Sequence, residues 1–122
     1  MIKNNDYLSI QNGDFSSVAG TWRNPTGIEF TFDKNGLVSD KSKISIEYAK
    51  EIDHYLKANS ISKDGGAGAA IAFLPAGIPI TMSVTSSSDN GYTDSSDITQ
   101  DRLWFGHQLI NGSTEGFFYK VE

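Results

Sequence analysis

Ile28-Glu29-Phe30-Thr31-Phe32-Asp33-Lys34-Asn35-Gly36 is the stretch on which the fold turns. Successive side chains of an extended strand point to opposite faces, so Ile28, Phe30 and Phe32 share a buried face while Glu29, Thr31 and Asp33 meet water. The run ends in Asp33-Lys34-Asn35-Gly36, a tight turn, because Asn and Gly tolerate the positive φ that hairpin turns need.

The same grammar extends in both directions. Lys43-Ile44-Ser45-Ile46-Glu47-Tyr48 alternates again, with Ile44, Ile46 and Tyr48 predicted inward, and Tyr55 to Ile61 predicts a third strand. Residues 46–57 also carry helix formers and near-helical apolar spacing, which keeps a short helix there as an alternative. Ala69-Ala70-Ile71-Ala72-Phe73-Leu74 is a continuous apolar run that reads as a buried strand stopped by Pro75. Ile78, Ile80, Met82 and Val84 alternate around Pro79, which suggests an edge strand or bulge. Ser86 to Gln100 is almost wholly polar and reads as the longest loop. Arg102 to Phe105 and Phe117 to Val121 close the chain as strands, with a turn at Asn111-Gly112-Ser113 between them. Residues 1–13 read as a flexible lead-in.

About seven to eight short strands with such turns predict an all-β fold, a small antiparallel barrel whose closure leaves no exposed edge. The alternatives are a β-sandwich, or an α+β fold with the helix near residues 46–57. At 122 residues one domain spanning 1–122 is expected. Phe30, Phe32, Phe73, Trp104, Phe105, Phe117 and Tyr119 are the aromatic candidates for its core. Trp104 and Phe105 are adjacent, so only one can face inward, and an outward aromatic beside His107 would offer a contact surface.

Charge and composition narrow the function classes. The net charge is −5 with the basic residues scattered singly, so no basic patch is present to neutralise a row of phosphates and nucleic acid is not expected as a partner. No run of about eighteen apolar residues is present, and Met1-Ile2-Lys3-Asn4-Asn5-Asp6 lacks the pattern of an export signal. Met1 reads equally as a natural start or as one placed after a removed signal. With no cysteine, disulfides, thiol catalysis and thiolate metal sites are excluded.

Gly13-Asp14-Phe15-Ser16-Ser17-Val18-Ala19-Gly20-Thr21-Trp22-Arg23-Asn24, followed by Gly27 and the Phe-Thr-Phe strand, resembles the opening of DUF6287, a domain of unknown function from predicted lipoproteins of streptococci, enterococci and lactobacilli. Ala72-Phe73-Leu74-Pro75-Ala76-Gly77, the stretch from Asp97 to Asp101-Arg102, and Phe117-Phe118-Tyr119-Lys120 look like its later blocks. The resemblance implies export and a lipid anchor upstream of this chain on a Gram-positive cell surface. The Gly20-Thr21-Trp22 opening is also similar to the first strand of calycin barrels, which implies an up-and-down, calycin-like barrel with Trp22 near one end, stacked on an arginine such as Arg102.

No Gly-X-Ser-X-Gly or His-Glu-X-X-His is present, and neither His54 nor His107 sits in a catalytic motif. Asp64-Gly65-Gly66-Ala67-Gly68 lacks the Lys-Ser/Thr of a phosphate loop and reads as a turn. The acidic stretch offers Asp89, Asp94 and Asp97 as weak calcium candidates whose spacing departs from the EF-hand order. Asp101-Arg102 is expected to hold a loop end by charge-assisted hydrogen bonds. The candidate ligand contacts are Trp104, His107, Tyr92 and Arg102, with no catalytic residue and no cofactor. The expected function is that of a monomeric, non-enzymatic extracellular module binding a small molecule, peptide or cell-wall component. The rival is a hydrolase or ligand-modifying enzyme whose Asp94, Asp97 and Asp101 converge in the fold; a third is a structural spacer.

Overall fold

The structure, a computed structural model, describes residues 2–65, 68–85 and 91–121. A helix α1 (Asn4–Gln11) precedes eight strands: β1 (Gly20–Arg23), β2 (Glu29–Asp33), β3 (Gly36–Leu37), β4 (Ser42–Ile52), β5 (Tyr55–Ser62), β6 (Ala69–Leu74), β7 (Arg102–Gly106) and β8 (Phe117–Val121). They form one antiparallel sheet in the order β3-β2-β1-β8-β7-β6-β5-β4. Each strand hydrogen-bonds its sequence neighbour except at the β3/β4 seam, and β8 returns to pair with β1, Trp22 opposite Lys120. The result is a nearly closed up-and-down barrel, as the alternations predict, and not two stacked sheets.

All eight strands send side chains into the barrel. Trp22, Phe32, Leu56, Ile71, Phe73, Leu103 and Phe118 are buried there, with Leu37 and Ile44 packed against them. Trp22 is fixed by its indole Nε1, which donates to the Val18 carbonyl at 2.9 Å. Residues 1–13 are not a flexible lead-in: α1 buries Tyr7 and Ile10, and Ile2 joins them in the same core. The Tyr7 hydroxyl donates to the His54 carbonyl at 2.6 Å and the Gln11 side chain to the Ala49 carbonyl at 3.0 Å. Burial is the main cause that raises the Tyr7 phenol well above its ordinary value. The interior is thus filled by side chains.

A second core lies outside the barrel. Tyr55, Ala72, Leu74, Trp104 and Phe117 point outward from β5 to β8 and are covered by Ile80, Val84 and Leu109 from the long connections. Three expectations are corrected here. Trp104, Phe117 and Tyr119 belong to this outer core, whereas Phe105 is the inward member of its pair, tilted against Phe30 (4.6 Å between ring centroids) and edge-on to Phe118 (5.5 Å). Residues 78–84 form no strand; Met82–Thr85 is a single 3-10 turn, since Pro79 withholds a ladder donor. Residues 46–57 are not helical but run through β4, a turn and β5, because tertiary pairing overrides the weak helical propensity.

The turn between β4 and β5 is a two-residue loop closed by the Ile52–Tyr55 pair. Asp53 and His54 both take positive φ, 50° and 74°, the geometry whose twist matches that of the flanking strands. Pairing then runs Lys50 to Lys57, Glu51 to Leu56, and resumes at Ser45 to Asn59. Residues 46–49 therefore oppose Ala58 alone, a wide bulge. Such a bulge breaks the period-2 alternation, so Ile46 and Ala49 reach the core while Tyr48, predicted inward, is 73% exposed.

Candidate functional site

Among the described residues, two polar constellations of the outer face hold the predicted site residues or lie beside them, one closed and one open. The closed one surrounds Arg102, which is fully buried at the start of β7. Its Nε donates to Ser96 Oγ (2.9 Å), Nη1 to the carbonyls of Pro75 (3.2 Å) and Gln100 (2.9 Å), and Nη2 to the Ile78 carbonyl (2.6 Å) and Asp94 Oδ2 (3.2 Å). The guanidinium has five N–H groups, and each has an acceptor. Asp94, nearly as buried, also accepts the Ile80 amide at 2.8 Å and the Ser96 amide at 2.7 Å. Asp101 accepts the Ala76 amide at 2.9 Å and the Ile2 amide at 2.7 Å. Arg102 and its neighbours therefore latch the connection between β6 and β7 against the barrel. The expected stacking of Arg102 on Trp22 is corrected, because the two lie on opposite faces of the sheet; Lys120 stands over that indole instead, its Nζ 6.0 Å from the ring centroid.

The acidic stretch is spent on the same latch. Asp97 accepts from Thr99 and Gln100, and those hydrogen bonds hold its carboxyl below the ordinary carboxylate value, side-chain bonds first. Asp94 and Asp97 thus turn their oxygens to local donors instead of a shared centre for calcium, and Asp89 lies outside the described residues. Among the described residues no three His, Asp or Glu side chains form a group able to hold a metal ion. Tyr92 packs against the outer core, and its buried hydroxyl has no hydrogen-bond partner among the described residues; burial, with Asp94 adding to it, pushes the phenol up to about 12.

The open constellation lies where the bulge turns β4 outward. A groove of about 490 Å³ runs along the outer face of β4 and β5, its walls including Ser45, Glu47, Tyr48, Lys57, Asn59 and His107. Small residues make its base: Ala70 of β6 and Gly106 of β7, which stand opposite each other in the ladder. A second groove of about 420 Å³ lies beside it and is lined by Tyr48, Ala49, Lys50, Lys57 and Asn59. Tyr48, Lys57 and Asn59 belong to both, so the exposed phenol stands between two shallow troughs of polar and apolar character. Convergent polar groups around an aromatic are what a recognition site requires.

Of the four predicted ligand contacts, His107 alone lines a groove. Trp104 is buried beneath it, and its indole lies so close to Gly106 and Gly116 that a Cβ on either would stand 2.7 or 2.6 Å from the ring. Arg102 is sealed in the latch and Tyr92 belongs to the outer core. Tyr48, Lys50, Lys57 and Asn59 were not singled out from the sequence. The signal that would have found them is the turn at Asp53-His54: once it is placed, Lys50 must face Lys57.

The fold and site define a filled up-and-down β-barrel that carries its open polar surface on an outer face. The family model for DUF6287, a domain of unknown function, matches residues 2–122, and the chain belongs to that family. No curated protein and no solved structure matched it.

Proposed function

We propose that this chain is a non-enzymatic recognition module that binds an extended hydrophilic ligand, a sugar chain or peptide, along the outer face of β4 and β5. The observation that carries the reading is Tyr48, an aromatic that the bulge lifts to 73% exposure between two grooves lined by amide, hydroxyl and amine groups. Tyrosine is enriched among the residues that carry binding energy, since a planar ring offers contact area at small entropic cost. A side-chain-filled barrel favours recognition from outside over an internal ligand. Binding is favoured over hydrolysis because Asp94, Asp97 and Asp101 serve as loop fasteners. The resemblance to predicted lipoproteins supports a setting on the bacterial cell surface, held by a lipid anchor outside this chain.

The test is a screen of the protein against oligosaccharide and peptide arrays, with Tyr48→Ala in parallel. A ligand retained by the wild type should lose at least about tenfold in affinity in Tyr48→Ala, which corresponds to about 1.4 kcal/mol, while Tm stays unchanged. Retention of full affinity by Tyr48→Ala would overturn the reading.

A further inference from the structure

Lys50 and Lys57 stand directly opposite each other across the β4/β5 ladder. Like charges so placed repel, and a sheet gains stability by avoiding them. Both point to the outer face, since Leu56 and Glu51, the neighbouring pair in the register, take the other face and Leu56 is buried in the barrel. Neither lysine makes an ion pair or a side-chain hydrogen bond with the described residues. The smaller groove between them is lined by Tyr48, Ala49, Lys50, Lys57 and Asn59 and contains no acidic side chain; Glu47 lines the larger groove instead. A chain of net charge −5 thus keeps a local charge of +2 in one trough, beside its most exposed aromatic ring.

We infer that the smaller groove is an anion subsite, in which the ammonium groups of Lys50 and Lys57 close on one phosphate or carboxylate of a sugar whose ring lies on Tyr48. The inference rests on the recognition role given to these grooves above. Two ammonium groups brought together by the ladder are relieved of their repulsion when an anion sits between them, and each supplies charge-assisted hydrogen bonds. The Asn59 amide, on the strand of Lys57 and lining the same trough, adds donors and an acceptor suited to sugar hydroxyls. An acidic peptide would satisfy the two lysines but makes no use of a ring platform, and so is the weaker match.

The experiment is an amide NMR titration of the full chain with glucose 6-phosphate, glucuronate, glucose and inorganic phosphate, repeated with Lys57→Gln and with Lys50→Gln. The expected result is that glucose 6-phosphate or glucuronate shifts the amides of residues 48–50 and 57–59, at least tenfold more tightly than glucose. Which of the two binds better distinguishes a phosphate from a carboxylate ligand. Each lysine variant should weaken that binding at least fivefold and make it less sensitive to salt. Without ligand each variant should melt no lower than the wild type, because the repulsion is gone; a merely structural lysine would not separate affinity from stability in this way. Equal affinity for glucose and glucose 6-phosphate, unchanged in the variants, would overturn the anion subsite and leave the groove reading standing. Shifts confined to residues outside the two grooves, or no shift with any probe, would overturn it as well.

Discussion

At the scale of single residues, Arg102 shows how a buried charge is made tolerable. Taking a guanidinium out of water is costly, and the cost is offset only when every donor is met and a counter-charge lies close. Five acceptors, the Asp94 carboxylate among them, supply both conditions. Removing one partner of such a pair leaves the other charge uncompensated, so Arg102→Met should destabilise the fold by about 3–5 kcal/mol. Chemical denaturation would measure it, and Arg102→Met with Asp94→Asn should recover part of the loss. The Asp-Arg dipeptide was legible as a loop fastener because the two residue types side by side at a strand start allow little else. Its burial was not legible, since that depends on the segments at 75–78 and 94–100 folding back over the guanidinium.

At the scale of elements, β4 and its turn carry the most information. The strands at 28–33 and 117–121 were legible from alternation, which regular pairing preserves, and the strand at 69–74 from its continuous apolar run; Ile28, predicted to share the buried face, instead precedes β2 and is 53% exposed. Tyr48 was assigned to the wrong face because a bulge adds residues without any mark in composition, and the assignment of every residue beyond it shifts. Helix α1 was missed for a related reason: Asn4-Asn5-Asp6 is poor helix material, and only the packing of Tyr7 and Ile10 inside the barrel sustains it. The turn itself is strained. A left-handed backbone costs an L-residue about 1–2 kcal/mol, which His54 bears at φ 74°. Glycine would relieve that strain against an entropic loss of about 0.5–1 kcal/mol. His54→Gly should therefore stabilise the protein by about 0.5–1 kcal/mol, a rise of a few degrees in Tm by calorimetry. The Tyr7 hydrogen bond survives the change because it ends on the backbone carbonyl.

At the scale of the whole molecule, stability is set by two cores on the two faces of one sheet, and its pH dependence follows from groups at their margins. Asp14 and Asp97 lie below the ordinary carboxylate value of 3.8, through hydrogen bonds from Ser16 and from Thr99 and Gln100. Their contribution is present above that value and is lost as pH falls through the lowered ones. Tyr92 is shifted the other way, from 10.0 to about 12, so its contribution is complete below pH 10 and is lost as pH rises through 12. Tm measured by circular dichroism should accordingly hold a plateau between these limits and fall on both sides. Asp97→Asn should make the acid limb shallower, Asp14 carrying the rest, and Tyr92→Phe the alkaline one, whose remainder belongs to Tyr7 and Tyr55, also raised by burial.

The pairing of β1 with β8 has a mechanical consequence. Thr21 faces Val121 and Arg23 faces Tyr119, so the entry to the first strand and the exit from the last lie at the same end of one antiparallel ladder. Tension drawn between residues 20 and 121 pulls those two strands apart crosswise to their length, and each rung bears the load in turn. The barrel opens under load as a zip opens, one hydrogen bond at a time, at the one ladder where its two ends are joined.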